Sequence, residues 1–430
     1  MIYDICVAGG GASGMAAAIS AAREGAGVLV LEKMDRLGRK ILATGNGRCN
    51  LTNNNIKKSA GNLPYRCSQQ DFPGKISASF DSGDALVFFR SLGILTCQRG
   101  EYVYPMSLQA SAVRDALERE ISSLKNIRVR TGSAVKSVKK DKAFFSIETE
   151  DGKIFRSRKL IISCGGRSSS KLGSDGSGYG LCKSLGHRII EPVPALCALK
   201  CKEKFFHSLA GVRTQASVQI LDGTQVLSCD SGELQLTNYG ISGIPVFQVS
   251  RFAARALYEG RKVRARLDLL PQMDEDQIRS FISRTCQRHK TYTMEEILTG
   301  ILNDKLTAVL TDLALGQGKR QGGGNAGKQP RIYGSQWGKK DVFRLIKLIK
   351  GLTVNITDTN GFDQSQVSAG GADTSQFLPD SLESRLVKGL YVTGELLDVD
   401  GICGGYNLQW AWATGCIAGQ SAGKDFYDKD

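Results

Sequence analysis

Histidine is scarce in this 430-residue chain: only His187, His207 and His289 are present, in unrelated contexts. That excludes, as an expectation, a histidine-based metal site and a Ser-His-Asp triad, and no metal is expected. A C-x-x-C pair is also missing. The twelve cysteines are scattered from Cys6 to Cys416, and the nearest two in sequence, Cys197 and Cys201, have no matching pair elsewhere. Such scatter predicts reduced thiols in a cytoplasmic protein rather than a disulfide framework. No run is long and apolar enough to span a bilayer. The apolar stretch 2–22 has no basic leading segment and carries four glycines, so it reads as the start of the fold and not as a targeting sequence.

What is present points elsewhere. The length implies two or three folding units. Lys and Arg exceed Asp and Glu by 57 − 42 = 15, which favours anionic partners such as nucleotides, although basic surfaces are also common without a specific role. Glycine is high at 50 residues and concentrated in a few loops. Clustered glycine marks tight turns or close backbone approach to a ligand.

The first such cluster has a readable purpose. Tyr3–Ala8 is an apolar strand, a helix follows over Met15–Glu24, and Val28–Glu32 is a second apolar strand ending in an acid. Between strand and helix stands G-x-G-x-x-G, with Gly9 permitting the turn, Gly11 admitting a pyrophosphate, and Gly14 letting helix and strand pack. Ala12 and Ser13 open the helix, whose N-terminus faces the phosphates with free N–H groups. Glu32 is placed to accept from a ribose hydroxyl. The alternative, a glycine-rich turn without a ligand, does not explain why strand, helix, second strand and acid all agree.

The motif alone does not separate FAD from NAD. After the second strand comes Lys33, then Arg39 and Lys40, then a loop of Gly45, Asn46, Gly47, Arg48, Cys49 and Asn50 in place of another helix. Such a loop offers N–H groups and amides to a flat polar ring system, or is an ordinary surface turn. Near the end of the sequence, Leu390–Glu395 reads as a strand meeting a glycine turn at Gly394 and Glu395. Asp398 can bond a sugar-alcohol chain. Gly404 and Gly405 precede a helix over Leu408–Ala422 whose N-terminus, at Tyr406, Asn407 and Leu408, can stabilise negative charge on a flavin.

The runs TGNGRCNLTN, SAGGAD, GELLDVDGICGGYNLQWAWATG and GELQLTNYGISGIPVFQVSR resemble the BaiN/YhiN-type flavoproteins, also labelled aminoacetone-oxidase-family FAD-binding enzymes. More distantly the chain resembles the FAD domains of fumarate-reductase-type enzymes. The resemblance implies an α/β fold: a Rossmann-like FAD-binding domain of the glutathione-reductase/fumarate-reductase type, interrupted by an insertion. It also implies adenine held by backbone bonds near Val135, and a second glycine turn at Cys164, Gly165 and Gly166.

The rest of the chain fits that layout. Arg128–Val138 and Phe144–Thr149 read as strands, and His187 as a capping or surface residue. The FAD domain is expected at 1–192 and 353–430. The insertion is expected at 193–352, β-rich over 193–269 with a strand at Ala195–Cys201, helical over 270–315, and a basic connection and helix over 316–352. From Lys319 to Lys350 nine Lys or Arg face one acid, Asp341. That bias suits a phosphorylated ligand, a nucleic acid or, most simply, a solvated face.

The chemistry expected is hydride transfer by FAD, with the protein supplying position and electrostatics. Only Cys49 stands where disulfide reductases of this broad fold carry a cysteine pair, so that mechanism is disfavoured. Cys49 and Cys403 fall in presumed flavin loops and are read as packed thiols. No second G-x-G-x-x-G lies in a βαβ unit, so NAD(P)H, if used, is a transient donor. The resemblance implies NAD(P)H-linked reduction, including that of activated C=C bonds in small steroid-like or CoA-linked substrates. Arg48 would bind a carboxylate or polarise a carbonyl, and Tyr104 or Tyr406 would donate a proton. Two alternatives stay open: an amine oxidase passing electrons to O2, and a nucleic-acid-associated flavoprotein, the latter disfavoured.

Overall fold

The computed structural model describes residues 1–58, 63–316 and 332–426. Two compact units are present: Met1–Pro194 with Phe362–Asp430, and Ala195–Gly361. Each has its own hydrophobic core.

The first unit opens with β1 (Ile2–Ala8), α1 (Ala12–Arg23) and β2 (Val28–Leu31). Ile5–Ala8 and all of β2 are buried. Burial on both faces is why these runs are continuously apolar instead of alternating. β1 pairs in parallel with β2 and with the strand Ile154–Ile162. That long strand is shared. Its first half pairs antiparallel with Phe145–Thr149, and its second half, Leu160–Ile162, pairs in parallel with Leu390–Val392. The late segment is thereby added to a sheet built by strands between Ile2 and Ile162.

The C-terminal helix, Tyr406–Gly423, packs on α1. A Cβ on Gly415 would lie 2.4 Å from the Ser13 carbonyl oxygen, and one on Gly419 2.3 Å from that of Ala17. Residues four apart share one helix face. Glycine at both positions therefore lets the two backbones meet.

In the second unit, the strands Leu199–Cys201, Gly240–Gly243, Gln225–Thr237, Arg213–Asp222, Val263–Asp268 and Leu352–Thr359 close, in that order, into a barrel. Closure leaves no open sheet edge. The helices Ile244–Tyr258, Glu275–Arg288, Met294–Leu298, Asp304–Ala314 and Lys339–Gly351 belong to the same unit.

Several expectations need correction. The insertion runs to Gly361 and not to residue 352, because Leu352–Thr359 supplies the barrel's closing strand, paired with both Val263–Leu267 and Leu199–Cys201. It begins at Ala195. The expected strand Ala195–Cys201 is two pieces: Ile189–Ala195 pairs with Val367–Ala372 in the first unit, and Leu199–Cys201 starts the barrel. The helical stretch 270–315 is three helices, each opened by a side-chain cap (Asp274, Thr293 and Asn303). Arg128–Val138 is broken between Arg130 and Val135. His187 is not a surface residue. It is buried, stacked on Phe377 at 5.1 Å, with Nε2 2.7 Å from the Ser384 hydroxyl. Most of the expected basic connection, 317–331, lies outside the described residues. Among the described residues no helix is long and apolar enough to cross a membrane, and no group of His, Cys, Asp or Glu is arranged to hold a metal ion.

Candidate functional site

The glycine motif is built as its spacing requires. Gly9 has φ +106° and sits against Ser163, whose carbonyl oxygen would be 2.5 Å from an added Cβ. A Cβ on Gly14 would be only 1.9 Å from the Gly9 carbonyl oxygen. Gly11 is different: a Cβ there would meet nothing within 4 Å. Gly11 also caps α1, with no side-chain cap on the helix's first N–H groups. An open, uncapped helix N-terminus reached past a glycine is an anion cradle.

Glu32 marks one side of this cradle. It is buried, and its two carboxylate oxygens accept from Gly10 N and Met34 N, each at 2.7 Å. Each oxygen keeps a further lone pair for a hydroxyl. The Glu32 carbonyl accepts from Ser133 N at 2.8 Å, which brings the start of the Val135 strand to this end. Lys33 instead pairs with Asp175 at 2.6 Å and Arg39 with Asp35 at 3.3 Å. Both are held by protein partners.

Glu395 marks the other side. A Cβ on Gly394 would be 2.5 Å from the Ser13 hydroxyl, and one on Gly166 would be 2.6 Å from Glu395 Oε1. The motif helix, the second glycine turn and the C-terminal turn therefore meet. Glu395 accepts from Lys40 Nζ at 2.7 Å and from Ser368 N at 2.9 Å. Gly165 has φ +74° and faces Ser174. Asp398 lies close to the C-terminal turn. It is buried and accepts from Ser68 N at 2.9 Å.

The loop after β2 is the least ordinary backbone in this unit. A short helix, Arg39–Ala43, precedes it, which the sequence pattern does not predict. Gly45 (φ +57°), Asn46 (φ +54°) and Gly47 (φ +80°) are left-handed in succession, and Cys49 (φ +58°) follows. Non-glycine residues in this region carry strain that the surroundings must support. The support comes from the C-terminal turn. With its amide turned to donate to Val103 and Thr52 carbonyls, Asn50 accepts from Gly405 N at 3.1 Å. Asn53 donates to the Gly404 carbonyl at 3.0 Å, and Thr52 to Gln409 at 2.7 Å. Trp412 donates to the Leu51 carbonyl and Trp410 to that of Gly394. The Asn407 amide closes the turn by donating to the Gly401 carbonyl and accepting from Gly401 N. Leu408 follows it in the first turn of the helix.

Thr52, Asn53, Ser163, Ser368 and Gln409 are site residues that the sequence reading does not single out. Thr52 and Asn53 stand within the N-L-T-N run, which was the available signal. Ser163, Ser368 and Gln409 act through partners far along the chain, in two cases more than 150 positions away, which no local pattern reveals.

Of the three candidate catalytic side chains, Arg48 is exposed, and its guanidinium makes no hydrogen bond or ion pair among the described residues. Tyr104 is half-buried, its ring 3.8 Å from where a Cβ on Gly45 would stand. Tyr406 is buried. Burial raises its phenol above the ordinary value, against a hydrogen bond with Asn55 that lowers it. Its ring packs edge-on against Tyr65 at 5.7 Å. All twelve cysteines are free thiols. Burial pushes both Cys49 and Cys164 up to about 12, so neither is a thiolate at neutral pH.

These residues fit an FAD. The open Gly11 and uncapped α1 suit a pyrophosphate, Glu32 a ribose, Glu395 a sugar-alcohol chain, and the Gly45–Asn50 loop with Gly404 and Gly405 a flat ring. Other proteins support the same conclusion. Residues 3–421 match the family model described as HI0933-like protein Rossmann domain. The chain is 47% identical over 420 residues to a 3-dehydro-bile acid delta(4,6)-reductase of Clostridium scindens, covering 97% of this chain and 98% of that one. It is 27% identical over 421 residues to a ribosomal RNA dihydrouridine synthase of Escherichia coli, covering 97% of each. Among solved structures, an Escherichia coli quinol fumarate reductase superposes with a TM-score of 0.51 at 12% identity, over 100% of this chain and 71% of that one, a likeness of fold. An uncapped Rossmann helix, two acids and a glycine turn from the distant end of the chain, taken with a family match along almost its whole length, make this an FAD-dependent oxidoreductase belonging to the HI0933-like Rossmann-domain family, the BaiN/YhiN-type flavoproteins.

Proposed function

We propose that this protein uses NAD(P)H to saturate a carbon–carbon double bond conjugated to a carbonyl, in a steroid-like substrate. The observation that carries the reading is 47% identity, over nearly the whole of both chains, to a protein named as a 3-dehydro-bile acid delta(4,6)-reductase. The more distant dihydrouridine synthase is also named for a saturated ring.

Bound FAD supplies the hydride carrier, and NAD(P)H the electron pair. The chain's own residues hold and orient it. The α1 N-terminus and Gly11 take the pyrophosphate charge, Glu32 and Glu395 fix the two hydroxyl-bearing ends, and Lys40 holds Glu395 in place. The strained Gly45–Cys49 loop is braced by Asn50, Thr52 and Asn53, so its N–H groups are fixed before the ring arrives. Saturation adds a hydride to one alkene carbon and a proton to the other. Tyr104, beside the loop, is the better placed proton donor, because the Tyr406 phenol is buried and engaged with Asn55. The unpaired guanidinium of Arg48 suits an anionic end of the substrate.

The test is anaerobic. NADH or NADPH is added to the yellow protein and the flavin band is followed, then a 3-oxo-4-ene steroid acid is added. Bleaching by the nicotinamide and reoxidation by the enone are expected. Flavin that stays oxidised with both nicotinamides overturns the donor assignment. Flavin that bleaches but is reoxidised only by O2 overturns the substrate class.

A further inference from the structure

The second unit contains a concave groove of about 600 Å³, formed between the helix Glu275–Arg288, the segment around Gly334 and the start of the helix Lys339–Gly351. Its walls and floor differ in chemistry. Arg279, Lys290 and Lys339 line it, all exposed, and no carboxylate does. Lys290 and Lys339 make no ion pair among the described residues, and Arg279 has only a long contact of 3.7 Å to Asp276. The remaining lining includes Ile282, Val342 and the half-buried Trp337, which packs on the unit's core.

We propose that this groove binds a small, flat, apolar organic anion, with its ring system on Trp337 and its carboxylate or sulfonate among the three cations. Three like charges held around one concavity repel one another, and an anion relieves that repulsion. A half-buried indole beside apolar side chains offers a flat, rigid surface at little entropic cost. The sequence 317–331, adjacent in the chain, carries Lys319, Arg320, Lys328 and Arg331 without an acid, so charge complementarity points to an external anion and not to this segment. The proposal for this groove does not rest on the proposed reduction. Its ligand requires neither a conjugated alkene nor a nicotinamide.

The test uses 2-naphthalenesulfonate on the full-length holoprotein. Three readouts are needed. Affinity is measured by titration at low and high salt, with the neutral 2-naphthalenemethanol as control. The triple variant R279Q/K290Q/K339Q is measured in parallel, with its flavin spectrum and melting temperature checked. Alkylation of Cys286, which also lines the groove, is mapped by mass spectrometry with and without the anion. The expected result is saturable binding that weakens with salt, falls at least about tenfold in the triple variant, protects Cys286 and leaves the flavin spectrum unchanged. Equal binding of the neutral analogue, equal binding by the triple variant, or an unprotected Cys286 overturns the proposal. So does a 12-nucleotide RNA that displaces the sulfonate at a lower concentration than the sulfonate needs to bind, since the groove would then be part of a nucleic-acid surface.

Discussion

Gly11 and Gly14 lie three residues apart in one motif and are constrained by different things. Gly14 is required by the protein, since its Cβ would overlap the Gly9 carbonyl at 1.9 Å, against backbone that cannot yield. Gly14→Ala is expected to cost about 3 kcal/mol of stability, measured by urea unfolding of the flavin-free protein. Gly11 is required by the ligand, because nothing of the protein lies within 4 Å of its Cβ position and its φ of −77° suits any residue. Gly11→Ala is expected to change apoprotein stability by less than about 1 kcal/mol and to weaken flavin affinity at least about tenfold. If both variants unfold alike, the reading of Gly11 as a ligand contact is wrong. His187 provides a second residue-scale test. Burial lowers its pKa below the usual 6.5. The unfolded chain therefore takes up the proton first on acidification, and the contribution is complete above 6.5 and lost as pH falls below it. The stability of the wild type relative to His187→Gln is expected to fall between pH 7.5 and 5.5 in thermal melts. Lowered carboxylates such as Asp373 and Asp175 lose their contribution only at more acid pH. A difference that stays flat across this window would show that His187 titrates alike in both states.

At the scale of elements, the contact between α1 and the C-terminal helix joins the two ends of the cofactor site. Gly419 stands at its centre, with Ala17 O only 2.3 Å from where a Cβ would stand. Gly419→Ala must push the helices apart, and we expect a loss of about 1–3 kcal/mol together with weaker flavin retention, seen by gel filtration of the yellow protein. Loss of stability with full flavin retention would mean that the helix spacing does not set the site. This pairing also shows what could be read in advance. The βαβ start was legible because its strands are buried on both faces and its glycines are local. The C-terminal turn and helix were legible because small residues recur in them. The closure of the barrel was not: Leu199–Cys201 and Gly240–Gly243 have only 3 and 4 residues, and Gly240–Gly243 carries no alternating pattern at all. Its closing strand, Leu352–Thr359, reads locally like a strand returning to the first unit, and only its pairing with Leu199–Cys201 reveals otherwise. The burial of His187 was not legible because it stands between Gly186 and Arg188 just past a helix end, whereas its packing partners, Phe377 and Ser384, lie far along the chain.

For the whole molecule, the decisive feature is how the insertion is attached. The chain leaves the first unit after Pro194 and returns at Phe362. Just inside these points, Leu199 pairs with Thr359, and Asn360 N donates to the Ala198 carbonyl at 2.9 Å. The two connections thus run side by side, so a linker of about six residues, reaching at most about 20 Å, can replace the whole insertion. Every residue assigned here to the flavin lies outside Ala195–Gly361. Replacing 195–361 by a short Gly-Ser linker is therefore expected to give a folded, yellow protein whose flavin affinity stays within about tenfold of the full chain. Flavin content of the purified variant is the measurement. A colourless but folded variant would mean that the insertion contributes to holding the cofactor, and the set of flavin-binding residues would have to extend into the barrel unit. A yellow variant that still turned over substrate would confine the catalytic groups, Arg48 and Tyr104 first among them, to the first unit alone.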